Sequence, residues 1–126
     1  MHYLGIDFGL RRVGLAVSEG ELTSPWQIIE VKGFSDAVEK VAKVITEGEF
    51  DKIVVGLPEG RMGKNVLGFV NALKKKGFEV ETFEETLSSK KALEVMIEQG
   101  VKQKKRRHED AYSAAGILQN YLDYLK

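Results

Sequence analysis

The chain has 126 residues, its 19 Lys and Arg balance 19 Asp and Glu, and it contains no cysteine. This length suits one domain, residues 1–126, and the lack of cysteine excludes disulfides and thiolate zinc sites. No apolar stretch reaches the roughly 20 residues that span a membrane, and the N-terminus lacks a signal-peptide pattern. We therefore expect a cytoplasmic protein without membrane contact. A net charge of zero does not exclude nucleic acid as a partner, because charge can be segregated by face.

The first half of the chain predicts three strands followed by a helix. Apolar runs joined by short turns indicate an antiparallel meander, because a connection of a few residues reverses the chain. Ser35 is predicted to cap the helix, whose apolar positions recur at helical spacing up to Gly48. Phe8, Trp26 and the Val and Ile positions are predicted to be core. The predicted strands are residues 3–8, 12–18 and 26–31.

The second half alternates strands and helices, which is typical of parallel strands joined by crossover helices. The predicted strands are residues 52–57, nearly all apolar, and residues 78–83, which alternate as a half-exposed edge strand does. Loops are predicted at 59–65 and, rich in Lys and Arg, at 99–107. The predicted helices are residues 66–76, 88–98 and 109–124. The expected fold is α/β: one five-stranded mixed sheet, a three-stranded antiparallel meander plus two parallel strands, flanked by helices.

Three carboxylates attract attention as metal ligands. Asp7 lies inside an apolar strand, where a charge is costly unless it is paired or binds a metal. Glu85 follows the fifth predicted strand, and Asp110 opens the last helix, beside alanines that would let this helix approach the sheet closely. Carboxylate oxygens converging from different elements are the ligands that Mg²⁺ prefers. Glu59 rivals Glu85, because the fourth strand would lie nearer to Asp7 than the fifth.

Each carboxylate also has a structural interpretation. Asp7 could accept hydrogen bonds from a neighbouring backbone, and a glutamate at a strand end is commonly solvated. Asp110 could stabilise the helix dipole, an effect of about 0.3–1 kcal/mol that is compatible with metal binding.

Four sequence stretches occur together, in order, along the whole chain. They are Gly5-Ile-Asp-Phe-Gly-Leu-Arg-Arg-Val-Gly-Leu-Ala-Val-Ser18, Val54-Val-Gly-Leu-Pro58, Glu84-Glu-Thr-Leu-Ser-Ser89 and Glu109-Asp-Ala-Tyr-Ser-Ala-Ala115. With them the chain resembles the YqgF (RuvX) family of the ribonuclease H-like superfamily, whose members are described as Holliday junction resolvases or as nucleases that mature the 5′ end of 16S ribosomal RNA.

The resemblance implies a ribonuclease H-like fold and a nuclease that uses one or two Mg²⁺ or Mn²⁺ ions. It places Asp7, Glu85 and Asp110 at the positions of the family's catalytic acids, and so favours Glu85 over Glu59. One departure is Thr86, which stands where the family usually has an arginine that could contact phosphate.

Basic residues flank the predicted acidic site. Four of them lead directly into Asp110, and two lie in the turn after the first strand. We expect these side chains to contact the phosphates of a nucleic acid, with a solvated loop as the structural alternative. They are Lys104, Lys105, Arg106 and Arg107 in the basic loop, and Arg11 and Arg12 in the turn.

Three function classes follow. The first is a metal-dependent nuclease acting on structured RNA, with precursor 16S ribosomal RNA favoured by the resemblance, or on branched DNA. The second is an ATP-dependent phosphotransferase of the actin and hexokinase type, which also opens with an Asp-x-Gly hairpin but needs two such domains. The third is a nucleic-acid-binding module without activity. A junction resolvase should be a dimer, because symmetric nicks need two active sites; the sequence leaves a monomer or a weak dimer open.

Overall fold

The computed structural model describes residues 1–57, 62–84 and 109–125, with the backbone alone described at residues 62, 84 and 109–111. The predicted helix at 88–98 and most of the features around it, including the basic loop at 99–107, lie outside these residues. The described strands are β1 (Tyr3–Asp7), β2 (Arg12–Ser18), β3 (Thr23–Glu30), β4 (Lys52–Leu57) and β5 (Val80–Glu84). The described helices are α1 (Phe34–Gly48), α2 (Met62–Lys75) and α3 (Glu109–Tyr124).

The strands form one mixed sheet in the order β3-β2-β1-β4-β5. β1 pairs antiparallel with β2, and β2 pairs antiparallel with β3, so the predicted meander is confirmed. β4 pairs parallel with both β1 and β5, as the crossover helices require. β1 is therefore the central strand. β5 lies two strand spacings, or about 10 Å, away from it.

Two hydrophobic layers cover the sheet, because the side chains of β1 alternate between its faces. Leu4, Ile6 and Phe8 belong to the larger core, together with residues of α1 and α2. Tyr3 belongs to a smaller core under α3. Leu4 and Ile6 are fully buried, and burial of such a side chain contributes about 1.5–3 kcal/mol. The core holds β1, and Asp7 at its end, in place.

Helix α1 begins differently from the prediction. Its N-cap is Gly33, and the predicted N-cap Ser35 lies inside the first turn. No described side chain makes a capping hydrogen bond; Asp36 Oδ2 instead accepts a hydrogen bond of 2.8 Å from the backbone N–H of Lys32, which precedes the N-cap. The predicted apolar face is confirmed, with Val41 fully buried and Ile45 almost so.

Helix α2 begins at Met62, inside the segment 59–65 that we predicted to be a loop. Its apolar face begins only at Val66, and Gly63 and Asn65 precede that residue. Hydrophobic periodicity detects a helix from its first buried residue, so a polar first turn escapes it.

The prediction that Trp26 is a core residue is wrong, since 45% of its surface is exposed. β3 starts at Thr23, three residues before the prediction, and it is an edge strand. Its register shifts where Leu15 pairs with Gln27 and Ala16 with Pro25, so Trp26 falls in a bulge. A bulge interrupts the alternation of side chains on which the core prediction relied.

None of the helices in the described ranges is both long and apolar enough to cross a membrane.

Candidate active site

Asp7 is the last residue of the central strand and is partly buried. Tyr3 and Gly5 lie on the same face of β1, as the alternation predicts, and this face is covered by α3. On β2, Asp7 is paired with Gly14, which has no side chain. The carboxylate therefore stands where the sheet gives it room.

The three parallel strands end at the same edge of the sheet. The register aligns Gly5 with Val54 and Val54 with Glu81. Continued by two residues, this alignment places Asp7 level with Gly56 and Phe83. The carboxyl edge of parallel strands is where open α/β sheets bind their ligands.

Helix α3 runs antiparallel to β1 across this face. The ring of Tyr121 lies 6.4 Å from that of Tyr3 at the start of the strand. In the middle of the strand, a Cβ placed on Gly5 would lie 2.8 Å from Leu118 Cβ and 3.0 Å from the Ala114 carbonyl oxygen. This close approach confirms the role predicted for the alanine-lined side of the helix.

The first turn of α3 consequently lies at the end of β1 that carries Asp7. Two residues of a strand rise about 6.6 Å, and four to five residues of a helix rise a similar distance. Two strand residues beyond Gly5 lead to Asp7, and four helix residues before Ala114 lead to Asp110. The backbone of α3 thus brings Asp110 to the same edge as Asp7.

From Ala115 onwards, α3 is hydrogen-bonded to both sides of the sheet. On the β3 side, the Thr23 hydroxyl donates to the Ala115 carbonyl at 2.9 Å, and the Thr23 N–H donates to Gln119 Oε1 at 3.1 Å. On the β5 side, the Tyr121 hydroxyl donates to Glu81, whose other oxygen lies 3.3 Å from Lys52 Nζ. We call the residues Lys52, Glu81 and Tyr121 the polar latch.

The polar latch was not predicted from the sequence. The hydrogen bond from Tyr121 lowers the pKa of the Glu81 carboxyl. Burial, followed by the contact with Glu81, raises the pKa of Tyr121, and the contact with Glu81 raises the pKa of Lys52. The alternation of side chains along each strand could have placed Lys52 and Glu81 on one face of the sheet, the face on which Tyr121 packs. Alternation does not reveal, however, which strands are neighbours.

The arrangement of an acid on a central strand and a helix start at the same sheet edge can now be compared with known proteins. The RuvX family model, described as Holliday junction resolvase, matches residues 1–124. The chain belongs to the RuvX family. A relative from Sulfurimonas denitrificans named "Putative pre-16S rRNA nuclease" is 38% identical over 130 residues, which cover 97% of each chain. One of the same name from Natranaerobius thermophilus is 32% identical over 133 residues, covering 98% of this chain and 94% of the relative.

The solved structures support the fold of this RuvX family member. The structure of T. thermophilus RuvC in complex with a Holliday junction substrate matches it with a TM-score of 0.66. The match covers 99% of this chain and 96% of that chain. The sequence identity is 18%, so the match supports the fold alone. The predicted five-stranded, ribonuclease H-like architecture is confirmed.

The predicted site residues fall into two groups. The backbone brings Asp7 and Asp110 to one edge, with Arg11 and Arg12 exposed in the adjoining hairpin. The other predicted residues lie outside the described ranges: Glu85, its rival Glu59, and Lys104, Lys105, Arg106 and Arg107. Among the side chains that the structure describes, no three His, Cys, Asp or Glu residues cluster as metal ligands would.

The β1–β2 hairpin holds its two arginines beside the site. A Cβ on Gly9 would lie 2.5 Å from the Arg12 carbonyl oxygen, so the turn is tight enough to require glycine. The Val31 N–H donates to the Arg11 carbonyl at 2.8 Å, which ties the turn to the segment before α1. Arg11, Arg12, Glu30 and Val31 line a shallow cavity of about 380 Å³. A cavity of about 620 Å³ lies at the opposite end of β1 from Asp7, lined by His2, Ser18 and Glu19 among others.

Proposed function

We propose that this protein is a metal-dependent nuclease that hydrolyses a phosphodiester bond at the carboxyl edge of its sheet. The observation that carries the proposal is that Asp7 and the first turn of α3, with Asp110, meet at that edge. Membership of the RuvX family and the names of its relatives point in the same direction.

Asp7, Glu85 and Asp110 are the proposed ligands of one or two Mg²⁺ or Mn²⁺ ions. The donor set fits such ions, because hard divalent cations prefer carboxylate oxygens. Asp7 supplies a partly buried carboxylate on a rigid strand. Phe83, in register with Asp7, packs against Tyr121 on the face of α3, and Glu85 follows Phe83 by two positions. The family resemblance of the stretch that contains Glu85 favours it over Glu59.

The residues of the chain have separate tasks in this proposal. When bound, the metal ions lower the pKa of a water and stabilise the departing oxygen. Asp7 holds the site on the central strand, and α3 directs its positive N-terminal dipole towards the phosphate. Arg11 and Arg12, with Lys104 to Arg107, bind neighbouring phosphates and so orient the nucleic acid.

The proposed substrate is precursor 16S ribosomal RNA, and the proposed location is the cytoplasm, where that RNA is matured. The named activity of the sequence relatives supports this choice over branched DNA. A four-way DNA junction remains the second candidate, because T. thermophilus RuvC, which has the same fold, forms a complex with a Holliday junction.

A cleavage panel tests the proposal. The substrates are a precursor 16S ribosomal RNA fragment, an unstructured single-stranded RNA and a four-way DNA junction, each with Mg²⁺, Mn²⁺ or EDTA. We expect cleavage of the precursor fragment only with metal, and at least a 100-fold loss of rate in Asp7→Asn. The matched control is Glu39→Gln, which removes an exposed carboxylate on α1 and should cleave normally.

The alternative outcomes are equally specific. Cleavage that survives in EDTA or in Asp7→Asn refutes the metal site. Paired nicks in the DNA junction alone, made by a dimer, favour a resolvase. Salt-dependent binding of all three substrates without any cleavage favours a binding module.

A further inference from the structure

We propose that Gly5 is a positioning residue for the active site: its missing side chain sets the distance between β1 and α3, and thereby the distance from Asp110 to Asp7. This inference rests on the proposed function, since it assigns Gly5 a role in the metal site.

The first observation is steric. A Cβ at position 5 would lie 2.8 Å from Leu118 Cβ and 3.0 Å from the Ala114 carbonyl oxygen. Leu118 and Ala114 are both fully buried. The two contacted atoms belong to the helix backbone or are bonded directly to it, so no side-chain rotation relieves the contact. A methyl group at this position must move α3 as a body, by some tenths of an ångström.

The second observation concerns which part of α3 such a movement would displace most. Gly5 precedes Asp7 by two residues on a rigid strand, and Ala114 follows Asp110 by one helical turn. The polar latch and the contacts of Thr23 with Ala115 and Gln119 hold α3 from Ala115 onwards. A helix held at that end and pushed at Ala114 moves outwards at its beginning, where Asp110 lies.

A metal site is sensitive to a movement of this size. Mg²⁺ requires near-ideal octahedral geometry, with ligands at about 2.0–2.1 Å, and a functional constellation tolerates errors of only about 0.5 Å. Gly5 therefore acts through α3 on the ligand geometry, without touching the metal or the substrate itself.

Ile6 provides a matched control on the same strand. It lies between Gly5 and Asp7, is fully buried, and packs in the larger core on the opposite face. Ile6→Val removes one methyl group from that core without altering the contact with α3. We expect both Ile6→Val and Gly5→Ala to lower stability through imperfect packing, but only Gly5→Ala changes the distance between β1 and α3.

The experiment measures Mn²⁺ binding without nucleic acid, together with thermal unfolding, in wild type, Gly5→Ala, Ile6→Val and Asp7→Asn. We expect Gly5→Ala to weaken Mn²⁺ binding at least 10-fold while it remains folded, and Ile6→Val to stay within 2-fold of wild type. We further expect the cleavage rate of Gly5→Ala to recover partly at high Mn²⁺ with an unchanged KM for nucleic acid, whereas Asp7→Asn should not recover.

A second variant applies the same pressure from the helix side. If Gly5→Ala does not fold, Leu118→Ile adds a methyl branch to the Cβ that lies opposite Gly5, and the same loss of Mn²⁺ affinity is expected. Wild-type affinity in the folded Gly5→Ala or Leu118→Ile protein overturns the positioning role alone, provided that Asp7→Asn has lost Mn²⁺. Absence of Mn²⁺ binding in the wild type instead overturns the proposed metal site, and the positioning role with it.

Discussion

At the level of single residues, the face of β1 on which Asp7 lies could be predicted from the sequence, but the polar contacts of the neighbouring strands could not. The alternation of β1 predicts that Tyr3, Gly5 and Asp7 share a face, and the packing of α3 against Tyr3 and Gly5 confirms it. The polar latch, in contrast, joins residues from β4, β5 and α3. Its members are ordinary surface residue types, and only their proximity turns them into a network.

The polar latch predicts how stability depends on pH. The pKa of Glu81 is lowered in the folded protein, chiefly by the hydrogen bond from Tyr121. The stability it contributes is therefore present above the ordinary glutamate pKa of 4.5 and is lost as the pH falls through the lowered value. We expect the thermal midpoint of wild type to fall more steeply below pH 4.5 than that of Glu81→Gln.

Thermal unfolding at a series of pH values checks this prediction. Glu39→Gln, which alters an exposed carboxylate on α1, should keep the pH dependence of wild type. Parallel curves for wild type and Glu81→Gln would show that the polar latch makes no pH-dependent contribution.

Among the elements, helix ends were predicted less well than helix cores. The buried stripe of α1 follows from periodicity, but its beginning does not: the N-cap is Gly33 rather than Ser35, and Asp36 accepts a hydrogen bond from the Lys32 N–H in front of the helix. The beginning of α2 was missed because its first turn is polar. An end is decided by a few hydrogen bonds worth about 1 kcal/mol each, whereas a buried stripe gains from many contacts at once.

The end of α1 predicts a stabilising substitution. Glu49 adopts a left-handed conformation with φ of 52°, which a side chain with a Cβ disfavours. We expect Glu49→Gly to raise the free energy of unfolding by about 0.5–1 kcal/mol, because the relieved strain exceeds the entropy that glycine adds to the unfolded chain. Chemical denaturation measures the change directly.

Gly77, after α2, offers the reciprocal control. Its φ is 96°, and a Cβ there would meet no atom within 4 Å, so only the backbone conformation is at stake. Gly77→Ala should lower the free energy of unfolding by about 1 kcal/mol. If Glu49→Gly destabilises the protein, the strain assigned to the end of α1 is wrong.

At the scale of the whole molecule, a chain with no net charge still presents cations beside its acidic edge. Arg11 is exposed in the hairpin that follows Asp7, and its carbonyl is tied to Val31, which restrains the turn. The structure therefore places an exposed arginine at this edge, and segregation of charge, as a nucleic-acid partner requires, stays a prediction.

The salt dependence of binding tests this segregation. If Arg11 contacts one phosphate, Arg11→Ala should weaken binding of the precursor RNA and reduce the slope of log K against log salt by about 0.7–0.9. Lys75→Ala is the matched control, because Lys75 is exposed at the last residue of α2, and α2 ends at the opposite edge of the sheet. An unchanged slope in Arg11→Ala would exclude Arg11 from the interface.

The sequence by itself determined the number, type and order of the described elements, the buried faces of β1 and α1, and the carboxylate on the central strand. These properties follow from local periodicity and from the cost of burying a charge, which act within a few residues. The resemblance of its four stretches to the RuvX family was confirmed as well.

Only the tertiary structure decided which elements meet. The exposure of Trp26 depends on a bulge in an edge strand, and the polar latch depends on the order of β4 and β5 under α3. The close contact of Gly5 with Ala114 brings Asp110 to the edge of Asp7, although 103 positions separate the two acids in the sequence. Packing between distant segments sets such distances, and no local pattern records them.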